Sequence, residues 1–227
     1  MVITKHSKRF RESAGKVEPR LYTLDEAIAL LLALPKTKFD QTVELHLNLG
    51  IDPKQSDQTL RGALSLPQGI GGTKKVICFV DGAAAEQAKA AGAIEAGADD
   101  LIAKVQGGWL DFDVAIAHPT LMSKVGKLGR VLGPQGKMPS PKAGTVTADV
   151  VQAVKEFAAG KVEFRNDDGG NLHVIVGKVS FAAPALKQNV DAFLEHIRRI
   201  RPAAVKGVYI KSLTLTATMS PGIKLAL

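Results

Sequence analysis

The chain has 227 residues, with 30 Lys and Arg against 22 Asp and Glu, 45% hydrophobic residues and a single cysteine. That length holds one large domain or two small ones, no apolar run approaches the ~20 residues that cross a bilayer, and Cys78 alone can form no internal disulfide. The net charge of +8 points toward a polyanionic partner without naming one.

The opening segment MVITKHSKRFRESAGK is basic, lacks the continuous apolar stretch of a secretory signal and is poor in Ser and periodicity for a transit peptide, so a cytoplasmic location is expected. Thr23 followed by Glu26 reads as a capping box, and Leu24, Ala27, Ile28, Leu31 and Leu34 repeat at helical spacing up to Pro35. Val43, Leu45, Leu47 and Leu49 then alternate with Thr42, Glu44, His46 and Asn48, the period of a strand with one buried face. The Pro/Gly cluster SLPQGIGG at 65–72 reads as a hinge.

Beyond it the texture changes. KKVICFV reads as a buried strand with Cys78 in the core, followed by the Ala-rich helix AAAEQAKAAGA, a short apolar stretch from Leu101 to Val105, and the strand FDVAIA at 112–117. Between Asp113 and Asp149 there is no acidic residue, yet Lys124, Lys127, Arg130, Lys137 and Lys142 stand there among glycines and prolines. This tract, His118 to Ala148, reads as a surface loop able to approach phosphates. Lys124, Lys127, Arg130 and Lys137 are its candidate auxiliary RNA contacts. The helix ADVVQAVKEFAA at 148–159 and a second hinge, AAGK at 158–161, follow.

Near the end, KVEFR and LHVIV flank the turn-rich NDDGGN and predict a hairpin. Leu186, Val190, Phe193, Leu194 and Ile197 predict a second amphipathic helix ending before Pro202. Leu213, Leu215, Ala217 and Met219 alternate with Thr214, Thr216, Thr218 and Ser220, which puts four hydroxyls on one strand face and Met219 on the apolar parity.

The two ends therefore read as one α+β domain, residues 1–68 plus 160–227, into which a small parallel α/β unit, residues 69–159, is inserted. Net charges of +2 for 1–68, +1 for 69–159 and +5 for 160–227 put most of the excess in the termini.

Enzymatic readings fare poorly. Gly69, Gly71 and Gly72 precede the strand, where a dinucleotide fingerprint would follow it, and GPQGKMPS is too short and has Met138 where a phosphate loop needs Ser or Thr. His6, His46, His118 and His173 lack zinc-ligand spacing, and the adjacent Asp167 and Asp168 belong to a turn. Gly97-Ala-Asp-Asp100 reads as a solvated loop. No catalytic residue, metal or cofactor is expected.

A binding surface is better supported. If both termini build one sheet, the rows Thr42/Glu44/His46 and Thr214/Thr216/Thr218 share a surface rimmed by Lys38, Arg165, Lys178 and Lys211. Hydroxyls and lysines of this kind meet ribose and phosphate oxygens, although a Thr row is also ordinary strand composition. Phe39 either stacks on a base or fills the core. Few aromatics disfavour single-strand platforms and favour shape recognition of folded RNA.

The blocks KFDQTVELHLNLGIDPKQSDQTLRGALSLPQG, GWLDFDVAIAHPTLMSKVGKLGRVLGPQGKMPSPKAGTV, KVEFRNDDGGNLHVIVGKVSF and TATMSPG resemble, in order and across nearly the whole chain, the bacterial ribosomal protein L1 family of the large subunit's mobile lateral stalk. The resemblance implies a split βαβ-type α+β domain built from both termini and an inserted Rossmann-like three-layer α/β domain. It implies binding to large-subunit ribosomal RNA, a part in moving deacylated tRNA out of the exit site, and repression of the protein's own operon mRNA. Matched to the family, the RNA surface falls on Lys38, Phe39, Thr42, Glu44, Ser212, Thr218 and Met219; Arg165, Lys178, Thr216 and Ser220 join it from the surface argued above. Ser220 stands where the family usually has Gly in Thr-Met-Gly-Pro, and Asp168 where it often has Lys. No membrane partner is expected, and the protein free of the ribosome is expected to be a monomer.

Overall fold

The computed structural model describes residues 6–226. From the N-terminus, helices α1 (Lys8–Lys16) and α2 (Leu24–Ala33) lead into strands β1 (Thr42–Leu49), β2 (Arg61–Leu64) and β3 (Val76–Phe79). Helix α3 (Ala83–Ala90), β4 (Glu95–Gly97), α4 (Asp99–Gln106) and β5 (Val114–Ala117) follow, then two short helices, α5 (Met122–Val125) and α6 (Gly129–Leu132). Helix α7 (Val150–Ala158), β6 (Val162–Arg165), β7 (Asn171–Lys178), α8 (Ala183–Arg199), β8 (Ile210–Ala217) and β9 (Ile223–Leu225) complete the order. The fold mixes parallel and antiparallel sheets with helices, as the alternation of sequence textures implies.

Two compact units emerge. The first takes in residues up to Leu60, Leu66–Gly71 and those from Phe164 onward. Its sheet runs β7-β1-β8-β9, and every neighbouring pair is antiparallel. Along β1, Val43, Leu45, Leu47 and Leu49 are buried while the residues between them are half-buried, so the period read from the sequence is the period of burial. Helices α2 and α8 pack on the strands through Ile28, Leu31, Leu186, Val190, Phe193 and Ile197, all buried. The capping box is present: the Thr23 hydroxyl accepts the Glu26 N–H, and the Glu26 carboxylate accepts the Thr23 N–H at 3.0 Å. Helix α1 lies in the basic opening segment, where charge was the one feature read from sequence, and Ser7 caps it by accepting the Phe10 N–H.

The expected hairpin is corrected. The turn is formed, with Asp167 accepting from the N–H groups of Gly169 and Asn171, but its flanking strands part after a single bridge, Asn166 to Leu172. β7 joins β1, whereas β6 joins β2 in a separate two-stranded ribbon, because each finds a longer partner elsewhere in the chain than in the other.

The second unit contains Arg61–Ser65 and Gly72–Glu163. Its three parallel strands run β4-β3-β5. β3 is buried on both faces, which is why its sequence is continuously apolar. Val76, Cys78 and Val80 pack with Ala88, Val154 and Phe157 of α3 and α7; Ile77 and Phe79 pack with Leu101, Val105 and the tract after β5. Burial pushes the Cys78 thiol up to about 12, which suits a core residue and not a nucleophile.

The basic Gly/Pro tract is not a free loop. From Pro119 to Leu132 it winds as successive helical turns whose Leu121, Val125, Leu128 and Leu132 are buried against β3, β5 and α4. Spacing of three and four between those apolar residues carried the signal, which the glycines and lysines obscured.

Candidate nucleic-acid interface

The face of the four-stranded sheet opposite the helices presents three polar rows in register. Thr42, Glu44, His46 and Asn48 of β1 stand between Lys178, Ile175, His173 and Asn171 of β7 and Thr216, Thr214 and Ser212 of β8. The Nδ1 atoms of His46 and His173 meet at 2.8 Å, so one donates and the other accepts. Glu44 lies 3.7 Å from His46, and Asp167 lies 3.6 Å from His173. Burial first, then the neighbouring His173, lowers the His46 pKa from its ordinary 6.5, against the pull of Glu44.

One corner of this face gathers most of the expected RNA residues. The Thr218 backbone N–H donates to the Thr42 carbonyl at 3.0 Å and the Thr218 hydroxyl accepts the Thr42 N–H at 3.1 Å, so backbone and side chain together extend the β1–β8 ladder by one rung. The Lys178 ammonium donates to the Thr42 hydroxyl at 2.7 Å. Thr216 donates to the Ser220 carbonyl at 3.2 Å. Lys38 and Phe39 enter the same corner just ahead of β1, and Phe39 is 51% exposed, which decides between its two readings against the core.

Met219 departs from its expected parity. β8 ends at Ala217, and Met219 sits in the turn closed by the Ser220 N–H on the Ala217 carbonyl. There it is 66% exposed at φ 60°, the only described non-glycine residue with positive φ. The alternation fails because the chain stops being a strand before it reaches Met219.

Two expected residues do not join the corner. Ser212 pairs with Asn48, six residues along β1 from Thr42, which is roughly 20 Å in an extended strand. Arg165 is exposed at the end of β6, next to the turn at that same far end. Among the auxiliary candidates, Lys124 bonds Asp99 at 2.8 Å, and Lys137 donates to the Leu110 and Phe112 carbonyls at 3.0 and 2.5 Å. Lys127 and Arg130 are exposed with no hydrogen-bond partner among the described residues.

A sequence model of the Ribosomal protein L1p/L10e family matches residues 31–221. The chain is 53% identical over 222 residues to the large ribosomal subunit protein uL1 of Kosmotoga olearia, covering 97% of this chain and 96% of that protein. It is 54% identical over 224 residues to uL1 of Lactobacillus gasseri, with coverage of 98% and 97%. This chain belongs to the ribosomal protein L1 family. Its members are structural ribosomal proteins, in line with the reading that it is not an enzyme.

The departures from the usual L1 family residues have visible settings. The Ser220 hydroxyl turns inward and accepts from Gln41 Nε2 at 3.2 Å, so its Cβ is part of a bonded corner and not only an obstacle. Asp168 is exposed in the turn after β6, at the sheet end that carries Ser212 and not at the Thr218 corner. Two residues of this L1-family corner escaped sequence reasoning. Gln41, 3% exposed, also donates to the Thr218 carbonyl at 2.7 Å. Its signal was available: a polar side chain on the apolar parity of β1, one step before the strand. Arg9 donates to the carbonyls of Met219 at 2.7 Å and Pro35 at 3.3 Å, and nothing in its local sequence announces that reach.

Proposed function

We propose that this L1-family protein binds large-subunit ribosomal RNA at the mobile lateral stalk through the corner made by Lys38, Phe39, Thr42, Glu44, Lys178, Thr216, Thr218, Met219 and Ser220. The observation that carries the reading is Met219. An apolar side chain held out to solvent in a left-handed turn, with its carbonyl gripped by Arg9, costs stability that packing does not return, and such strain collects where a surface is shaped for a partner. Phe39 and Ile175 add exposed apolar surface on the same side, and Lys178 supplies charge. Ribose edges and unstacked bases of folded RNA offer the matching mix of apolar faces, hydroxyls and phosphate. Arg165 and Ser212 serve as contacts at the far end of the same face.

Family membership supports two further roles, release of deacylated tRNA from the exit site and repression of the protein's own operon mRNA through a structure similar to the ribosomal site. The protein acts in the cytoplasm as a ribosome component and is a monomer when free. Lys127 and Arg130, exposed and without a hydrogen-bond partner among the described residues, serve as auxiliary RNA contacts.

Filter binding to a stalk RNA fragment at fixed salt tests the surface. Phe39→Ala and Met219→Ala should each weaken binding about 5- to 150-fold, the cost of roughly 1 to 3 kcal/mol for a lost base contact. Ile94→Ala, 49% exposed in the second unit, should bind as the wild type does. Wild-type affinity in both corner variants would place the RNA elsewhere.

A further inference from the structure

The second unit has a feature that RNA binding by the sheet of the first unit does not use. In its parallel sheet β3 is central, with β4 on one side and β5 on the other. The chain leaves β3 toward α3 on one face of the sheet and leaves β5 toward the helical turns at Leu121 on the opposite face. Adjacent parallel strands whose connections diverge in this way open a crevice at their carboxyl ends, the place where open α/β sheets take ligands. A cavity of about 640 Å³ lies there, within the range of small-molecule sites. Thr145–Thr147, bridged in parallel to Ala117, adds a third carboxyl end, from which α7 starts at the cavity wall.

We infer that this crevice is a nucleoside site. Its polar groups are Asp81, Gln87, His118, Thr120 and Asp149. The Asp81 carboxylate and the Gln87 amide have no hydrogen-bond partner among the described residues, so both are available to a ligand. Asp149 spends one oxygen capping α7 at the Gln152 N–H, 3.1 Å away. His118 Nδ1 meets the Thr120 hydroxyl at 2.7 Å and lies 3.4 Å from the Thr120 N–H, so Nε2 is the ring nitrogen left for a ligand. The first turn of α3 has no side-chain cap behind Gly82, so its leading N–H groups can meet a ligand acceptor.

Val80, Ala84 and Val150 give the cavity an apolar wall against which a ring can pack. Among the described residues no Lys or Arg lines the cavity. Lys124 holds its ammonium on both carboxylate oxygens of Asp99, at 2.8 and 2.9 Å. Two carboxylates without a cation repel a phosphate but suit the diol of a ribose, which donates two hydrogen bonds, while Gln87, Thr120 and His118 suit the mixed donors and acceptors of a base edge. The shared chemistry is a base with its ribose, either a free nucleoside or a nucleoside unstacked from an RNA chain.

Chemical-shift titration of the full-length protein with adenosine, guanosine, cytidine and uridine tests this. At least one should give saturable shifts at Asp81, Ala84, Gln87, His118, Thr120 and Val150 by about 10 mM, a weak but specific range. The 5′-monophosphate of that nucleoside should bind at least about fivefold more weakly, and Asp81→Ala, at an exposed position, should weaken the nucleoside about tenfold while the spectrum elsewhere stays unchanged. Adding a stalk RNA fragment separates the sources: competition for the same resonances identifies an RNA nucleoside, and undiminished nucleoside affinity identifies the free molecule. Absence of saturable shifts with all four nucleosides, shifts that fall outside the crevice, or wild-type affinity in Asp81→Ala would overturn the inference.

Discussion

Met219 combines a left-handed backbone with a large exposed side chain, and the two features make opposite demands on a substitution. For an L-residue with a Cβ this conformation costs roughly 1 to 2 kcal/mol, which glycine avoids at some cost in unfolded-state entropy. Met219→Gly should therefore raise stability, by up to about 1 kcal/mol in urea denaturation, while weakening RNA binding at least fivefold through loss of the thioether. Equal or better RNA binding by the more stable variant would remove Met219 from the interface. Thr218 differs, because its hydroxyl accepts the Thr42 N–H and its removal costs fold as well as contact. His46 sets a pH dependence. Its folded pKa lies below the ordinary 6.5, so the unfolded chain takes up the proton first, and the stability it contributes is present above 6.5 and lost as pH falls through and below that value. His196, lowered by burial and then by Arg199, acts in the same direction. Urea midpoints from pH 8 to 5 should fall on the acid side, and His46→Gln should remove part of that fall; an unchanged profile would contradict the His pair as its source.

At the scale of elements, Asn189 shows how a helix can hold a segment distant in sequence. Fully buried in α8, it accepts the Gln68 N–H at 3.0 Å and donates to the carbonyls of Gly69 at 2.9 Å and Val176 at 2.8 Å. Asn189→Ala strands those groups, and at roughly 1 to 3 kcal/mol for an unsatisfied buried partner the first unit should lose about 3 kcal/mol. A shift in its denaturation midpoint below about 0.5 kcal/mol would mean that water replaces the amide. The elements themselves were largely legible. The strand at 42–49, the helix from Thr23 and the buried strand of the middle segment follow from alternation, capping and continuous apolarity, each a property of residues within one element. The parting of β6 from β7 was not legible, because turn chemistry at Asp167 fixes a bend and leaves the choice of strand partner to distant segments. The corner was half legible: Thr42 and Thr218 announce themselves by parity, and Gln41 could have, whereas Met219 and Arg9 could not.

Over the whole molecule, the proposed RNA affinity should depend most on cations that are not spent on carboxylates or carbonyls of the fold. Lys127 and Arg130 are exposed and without a hydrogen-bond partner among the described residues, so replacing both by Ala should flatten the log-log dependence of RNA affinity on salt by roughly 0.7 to 0.9 per lost phosphate contact. An unchanged slope would turn that face away from RNA. Lys137→Ala should instead destabilise the second unit with the slope unaltered, since its ammonium is spent on the Leu110 and Phe112 carbonyls. The sequence by itself determined the mixed α/β class, the capped helix and the period of each sheet face, because burial on one side of an element imprints a local period, while the charge excess of the termini is a count and the family rests on the resemblance of whole sequence blocks. Only the tertiary structure decided which lysines are free, where β6 pairs, that Met219 is turned outward, and that Arg9 reaches its carbonyl across 210 residues. Those outcomes depend on groups brought together by chain closure, and no local pattern encodes a partner that lies on another element.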